Sequence, residues 1–126
     1  MTKRNQIYKC ELCGNITQVL HEGVGELVCC NQPMNLLIAG SFDAALEKHV
    51  PQFQKTDQSI KVKVGEIDHP MENNHFIEWI EVITSKNNFR KFLQPNEIPK
   101  AEFSLDKEEV LEINTFCNLH GLWKST

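Results

Sequence analysis

Ile60-Lys61-Val62-Lys63-Val64 alternates apolar and polar side chains without a break and stops at Gly65, the period of a strand with one buried face. Phe76-Ile77-Glu78-Trp79-Ile80-Glu81-Val82-Ile83 reads as a longer, partly buried strand. Ala101–Leu105 and Val110–Phe116 follow in the same manner, with Asn87-Asn88 and Pro95-Asn96 as turns. Residues 43–48 predict one helical turn, and no 3.6-residue period is sustained anywhere. Short strands separated by turns over ~85 residues predict a β-sandwich of immunoglobulin-like type. Upstream, Ile7-Tyr8-Lys9 and Thr17-Gln18-Val19-Leu20 are strand-like, with turns at Gly14-Asn15 and Gly23-Val24-Gly25. The prediction is therefore all-β, with a small domain over residues 1–37 and the sandwich over 38–126. Leu37-Ile38-Ala39-Gly40-Ser41 forms the connection. A piece as short as the first buries too little surface to fold alone; below about 40 residues a metal or disulfide is usually needed.

Composition narrows the possibilities without selecting one. Across 126 residues, 40% are hydrophobic and 24% charged, ordinary values for a globular chain. A net charge of −4 argues against nucleic acid as a partner, which wants a basic face. No apolar run approaches the ~18–20 residues of a membrane span. The start, Met1-Thr2-Lys3-Arg4-Asn5-Gln6, is basic, but no apolar stretch follows it as in a signal peptide, so a cytoplasmic location is expected. In a reducing compartment cysteines are more often ligands or nucleophiles than disulfide partners, and a count of five suits a disulfide framework poorly.

The cysteines fall in two groups. Cys10-Glu11-Leu12-Cys13 and Cys29-Cys30 provide four sulfurs in the small domain. Thiolates at i and i+3 chelate one ion from a tight turn, a second pair completes four-sulfur coordination, and soft sulfur in a tetrahedron selects zinc or iron. Cys29 and Cys30 are adjacent, and neighbouring side chains on a strand point to opposite faces, so they share an ion only from a bent backbone. The spacing does not decide between the two metals, and a zinc knuckle that merely folds the segment uses the same residues. His21, in the Gly-rich turn, reads as a solvated residue.

The remaining cysteine, Cys117, shares the second domain with His49, His69, His75 and His120, each beside a turn or a strand end. Loops at one end of a sandwich gather side chains from distant parts of the chain. Any one of these histidines alone is more often a surface or packed residue; four beside a spare cysteine point to a site. Zinc wants four ligands, so five donors favour a metal that reaches six, with one position left for substrate. Four imidazoles and a thiolate suit iron, and a thiolate opposite the open position pushes electron density through the metal. The backbone N–H groups of Leu119 and His120 are placed to hydrogen-bond the Cys117 sulfur and tune its potential. Glu47 and Lys48 directly precede His49. One reading makes them two solvated charges. The other puts them at the mouth of the open position, where Lys48 attracts a small anion and Glu47 caps the metal after oxidation.

Four ordered motifs resemble desulfoferrodoxin, the two-iron form of superoxide reductase, over essentially the whole chain. Tyr8-Lys9-Cys10-Glu11-Leu12-Cys13-Gly14 with Val28-Cys29-Cys30-Asn31-Gln32-Pro33-Met34 is similar to the desulforedoxin-type N-terminal module. Glu47-Lys48-His49-Val50-Pro51, His69-Pro70-Met71 through His75, Trp79-Ile80, and Cys117-Asn118-Leu119-His120-Gly121-Leu122-Trp123 resemble the neelaredoxin-type catalytic domain. The resemblance implies iron in both sites. One iron would be held by Cys10, Cys13, Cys29 and Cys30. The other would have His49, His69, His75 and His120 in the equatorial plane and Cys117 axial. It implies one-electron reduction of superoxide to hydrogen peroxide, with Lys48 attracting superoxide and Glu47 occupying the sixth position in the ferric resting state. A homodimer and a donor such as rubredoxin or a similar small carrier are implied as well. Phe116 stands where a tyrosine often precedes the cysteine, and Asp68 puts a carboxylate beside His69.

Two other classes compete. A cupredoxin-like or rubredoxin-like electron carrier shares the Cys-x-x-His or four-sulfur pattern, but blue copper uses two histidines with a weak axial Met, and no Met follows His120. A zinc-stapled binding module accounts for the first four cysteines and leaves the histidines to coincidence. Metal content separates the three.

Overall fold

The computed structural model describes residues 1–125 and divides into two compact units, Met1–Ile38 and Ala39–Thr126. The first unit is a set of short strands. β1 (Ile7–Lys9) pairs antiparallel with β2 (Ile16–Gln18) and with β5 (Asn35–Leu36), while β3 (Val28–Cys29) and β4 (Gln32–Pro33) form a separate hairpin. Its buried apolar residues are Ile7, Cys10 and Val19, so sulfur contributes to even this small interior. The β3–β4 loop is Cys30-Asn31, both with positive φ (52° and 61°). Positive φ at both central residues is the tight hairpin turn whose twist matches its strands. This is the bent backbone that adjacent cysteines require.

The second unit is a two-sheet antiparallel sandwich, as the strand pattern predicts. One sheet has the order β10 (Lys100–Ser104), β7 (Ser59–Val64), β6 (Pro51–Lys55); the other runs β12 (Gly121–Lys124), β11 (Val110–Cys117), β8 (Ile77–Thr84), β9 (Asn88–Phe92). Inward residues of both sheets make the core: Ile60, Val62 and Val64 from β7, Ile77, Ile80 and Val82 from β8, Ile113 and Cys117 from β11. Three strands escape the alternation argument. β6 is exposed at every position after Pro51, β9 starts within the expected Asn87-Asn88 turn, and β12 has only four residues. The helical turn lies at α1 (Leu46–His49), slightly later than expected.

β8 is buried along nearly its full length because its second face also carries covered side chains. On that face Glu81, fully buried, accepts hydrogen bonds from Arg90 and Asn114, and the Arg90 guanidinium lies 4.7 Å from the centre of the Trp79 ring. Trp79 stacks on Phe116 with centroids 5.8 Å apart. The register shifts between Phe116 and Cys117, where Cys117 pairs with Ile77. Such a bulge re-aims side chains next to functional sites.

Two candidate metal centres

In the first unit, Cys10, Cys13, Cys29 and Cys30 bring their sulfurs within 4.8 Å of one another. Cys13 Sγ lies 3.5 Å from Cys29 Sγ, which lies 3.9 Å from Cys30 Sγ. The Asn15 amide donates to Cys29 sulfur at 3.8 Å. The backbone N–H of Cys13, with that of Leu12, brings the Cys10 thiol down to about 7, whereas the sulfurs of Cys13, Cys29 and Cys10 push Cys30 up to about 12. Four sulfurs this close do not ionise together in the absence of a cation, so the set fits a soft divalent or trivalent ion. His21 is exposed and stands outside the cluster, as expected.

The second unit gathers His49, His69, His75, Cys117 and His120, again with all five donor atoms within 4.8 Å. Each comes from a different local device. α1 delivers His49, and the loop after β7 delivers His69, whose N–H donates to the Val64 carbonyl. A backbone bridge between Glu72 and His75 presents the third imidazole. Cys117 ends β11 and His120 closes the three-residue loop before β12. The four rings meet edge-on in a closed circuit, His49–His69–His75–His120–His49, with centroids 4.6, 4.8, 5.0 and 4.9 Å apart.

Hydrogen bonds decide which nitrogens face inward. His49 Nδ1 donates to the Ala45 carbonyl and His69 Nδ1 to the Pro70 carbonyl, each at 2.7 Å. A carbonyl only accepts, so both neutral rings carry their proton on Nδ1 and turn a bare Nε2 to the centre. Those two lone pairs face each other at 3.1 Å. His120 Nδ1 lies 3.1 Å from His49 Nε2 and 3.9 Å from Cys117 Sγ, and His75 Nε2 is buried with no hydrogen-bond partner. Converging lone pairs and an orphaned buried nitrogen are unfavourable unless a cation sits among them. Burial lowers the basicity of His49, His69 and His75, taking His69 to about 4, so the rings stay neutral and ready to donate. Burial also pushes the Cys117 thiol up, opposed by the N–H groups of Leu119 and His120.

Lys48 is half-buried, and its charge reaches the cluster: it lowers the basicity of both His49 and His75. Glu47 is exposed, its carboxylate lies outside the five-donor group, and its carbonyl accepts from Ile67 N–H at 2.9 Å. Gly65, with φ +83°, packs beneath this segment; a Cβ there would lie 2.7 Å from the Lys48 carbonyl and 2.8 Å from that of Glu47. Asp68 pairs with Lys63 at 3.7 Å.

Family models for desulfoferrodoxin match residues 41–126, and for its N-terminal domain residues 2–37. The chain belongs to the desulfoferrodoxin family. A desulfoferrodoxin of Syntrophotalea carbinolica is 54% identical over 125 residues, 99% of this chain and 98% of the relative. A desulfoferrodoxin homolog of Methanothermobacter thermautotrophicus is 52% identical over 123 residues, covering 98% and 99%. Among solved structures, the superoxide reductase of Treponema pallidum matches with a TM-score of 0.78 at 31% identity, covering 98% of this chain and all (100%) of that one. Desulfoferrodoxins carry two iron centres, and the two donor sets of this chain have the chemistry for them.

Sequence reasoning left three residues of this site without a role. Trp123 stacks on His49 (4.8 Å, 29°) and donates from Nε1 to the His120 carbonyl at 3.0 Å. Gly65 supports α1, and Asn118 fastens two of the ligand loops together. Gly65 stands where the strict alternation of β7 stops; Trp123 and Asn118 carry no periodic signal.

Proposed function

We propose that this chain is a superoxide reductase, reducing superoxide by one electron to hydrogen peroxide at an iron held by His49, His69, His75, His120 and Cys117. The observation that carries the reading is the convergence of four imidazole nitrogens and one buried sulfur within 4.8 Å of one another, with two tautomers fixed by backbone carbonyls. Iron bound there supplies the electron. The second iron belongs to Cys10, Cys13, Cys29 and Cys30, one centre for each of the domains 1–37 and 38–126.

The protein's own residues do the rest. Lys48 places a positive charge beside the cluster on a chain of net charge −4 and draws in a small anion. Its ammonium orients water that supplies the protons. Glu47, on the exposed side of the same turn, swings in to cap the oxidised site. His49 and His69 keep their orientation through the Ala45 and Pro70 carbonyls, and the sandwich core excludes water from the Cys117 side.

Electrons come from rubredoxin or a similar small carrier. A homodimer is supported by the apolar side chains that the first unit leaves exposed, Leu12, Leu20, Val24 and Val28. All five cysteines are free, which supports a reducing, cytoplasmic setting. No helix among the described residues is long and apolar enough to cross a membrane.

The test is iron quantification and visible spectroscopy on one sample, followed by a superoxide pulse. Two irons per chain, with a separate ferric–thiolate band on full oxidation and rapid loss of superoxide, are expected. A colourless protein with zinc at the sulfurs and no metal at the histidines would overturn the reading. Lys48→Ile should slow superoxide capture by roughly ten-fold and flatten its salt dependence. Glu47→Ala should keep capture and open the ferric site to azide.

A further inference from the structure

His49 and His69 are each oriented by a hydrogen bond from the ring to a carbonyl, but no such bond to the His75 ring is found among the described residues. His75 is held through its backbone instead. The Asn118 carboxamide reaches across from the neighbouring loop: its Oδ1 accepts from the Phe76 N–H at 2.9 Å, and its Nδ2 donates to the Asn74 carbonyl at 3.0 Å. Those two groups belong to the peptide units on either side of His75, so one side chain pins both ends of a single Cα. The Asn118 N–H adds a third bond, to the Phe76 carbonyl at 3.2 Å. Asn118 follows Cys117 directly and precedes His120 by two positions, so the same residue belongs to the turn that presents the other two donors.

We infer that Asn118 is a positioning residue that sets His75 against Cys117 and His120, doing through the backbone what the Ala45 and Pro70 carbonyls do for His49 and His69. The inference rests on the ligand assignment of the five donors and on nothing about the reaction they serve. The amide is required in one orientation, because the oxygen meets a donor and the nitrogen meets an acceptor. Aspartate has nearly the same shape. It keeps the bond to Phe76 N–H but sets a negatively charged oxygen against the Asn74 carbonyl. Alanine loses both bonds. If the side chain only filled space, aspartate would behave as asparagine does.

The four-sulfur set in the same molecule provides an internal reference. Cobalt(II) titrated into metal-free full-length protein, followed by visible absorption, reads each centre through its own thiolate and ligand-field bands. Asn118→Asp and Asn118→Ala should both weaken cobalt binding at the histidine site by about 10–100-fold, the usual cost of losing a ligand's supporting partner. The ligand-field bands of that site should shift, while affinity at the four-sulfur site stays unchanged. Ile60→Val, which trims the core at the start of β7, the end opposite the loop that carries His69, should lower thermal stability and leave both affinities intact. Unchanged histidine-site affinity and band positions in folded Asn118→Asp would overturn the inference, as would equal loss at both centres. Wild-type protein that binds cobalt at the sulfurs alone would overturn the ligand assignment, and the clamp with it.

Discussion

Cys10 and Cys117 open the same four-residue device. In Cys10-Glu11-Leu12-Cys13 and in Cys117-Asn118-Leu119-His120, the N–H groups two and three residues on point back at the first sulfur. The outcome differs in sign. At Cys10 those N–H groups outweigh burial and the thiol falls to about 7; at Cys117 burial outweighs them and the thiol is pushed up. Cys117 lies in the sandwich core among Ile77, Val64 and Ile113, whereas the small unit has three buried apolar residues in all, one of them Cys10 itself. The turn is local and portable, and the surroundings determine what it does. The small unit, with so little interior, is expected to need its metal to fold, whereas the sandwich has a core of its own around its cage.

That contrast can be broken most sharply by stripping metal. Structural zinc in small domains contributes ~10–16 kcal/mol of apparent folding energy. Metal-free protein, or Cys13→Ser, should lose dispersed amide resonances across residues 1–38 and keep those of the sandwich. Persistence of the first set would erase the distinction.

The complementary experiment attacks the sandwich. Arg90→Ala leaves Glu81 fully buried without its guanidinium and should cost about 3–5 kcal/mol by urea unfolding, with the four-sulfur absorption unaffected. Gly65→Ala should cost about 1–3 kcal/mol from the strained φ of +83° alone, and its side chain also meets the carbonyls of Ile67, Lys48 and Glu47. Its mark should be slower superoxide capture through a displaced Lys48, out of proportion to the stability lost. The last contrast concerns pH dependence and Glu108. The Thr84 hydroxyl, the Asn87 amide and the Asp106 N–H hold its carboxyl down to about 2, against an ordinary 4.5. A folded-state value below the unfolded one gives stability that is complete above pH 4.5 and lost as pH falls towards 2. Urea titrations of Glu108→Gln should lack that acid-side loss.

How much of this the sequence displays follows the same division. Strict alternation in β7, which has one wet and one dry face, predicts the sandwich together with the apolar strand-length runs of β8, β10 and β11 between turns, although β8 is covered on both faces. β6 and β9 escape because their mostly exposed residues leave no contrast to read. The adjacent pair Cys29-Cys30 required a bend, and the left-handed Cys30-Asn31 turn supplies it. The nine candidate sulfur and histidine donors were legible from residue type and spacing, and the structure brings each set together. Asn118 and Trp123 were not, because what they contribute is a direction in space and no repeat along the chain encodes it. Asp68, flagged beside His69, turns instead to Lys63 at 3.7 Å. Phe116 turns to Trp79 on the sheet face opposite the core, so its ring packs away from the sulfur next to it in sequence.

The two indoles end up in unlike company. Trp123 lies 4.8 Å from the His49 ring, within reach of whatever fills the cage, while Trp79 lies under the Arg90 guanidinium on the outer face of the sheet. The molecule therefore carries its own optical gauge. Emission from Trp123 should dim and recover as the cage is loaded, oxidised and reduced, with Trp79 supplying a steadier background. Filling and turnover become readable in unlabelled protein.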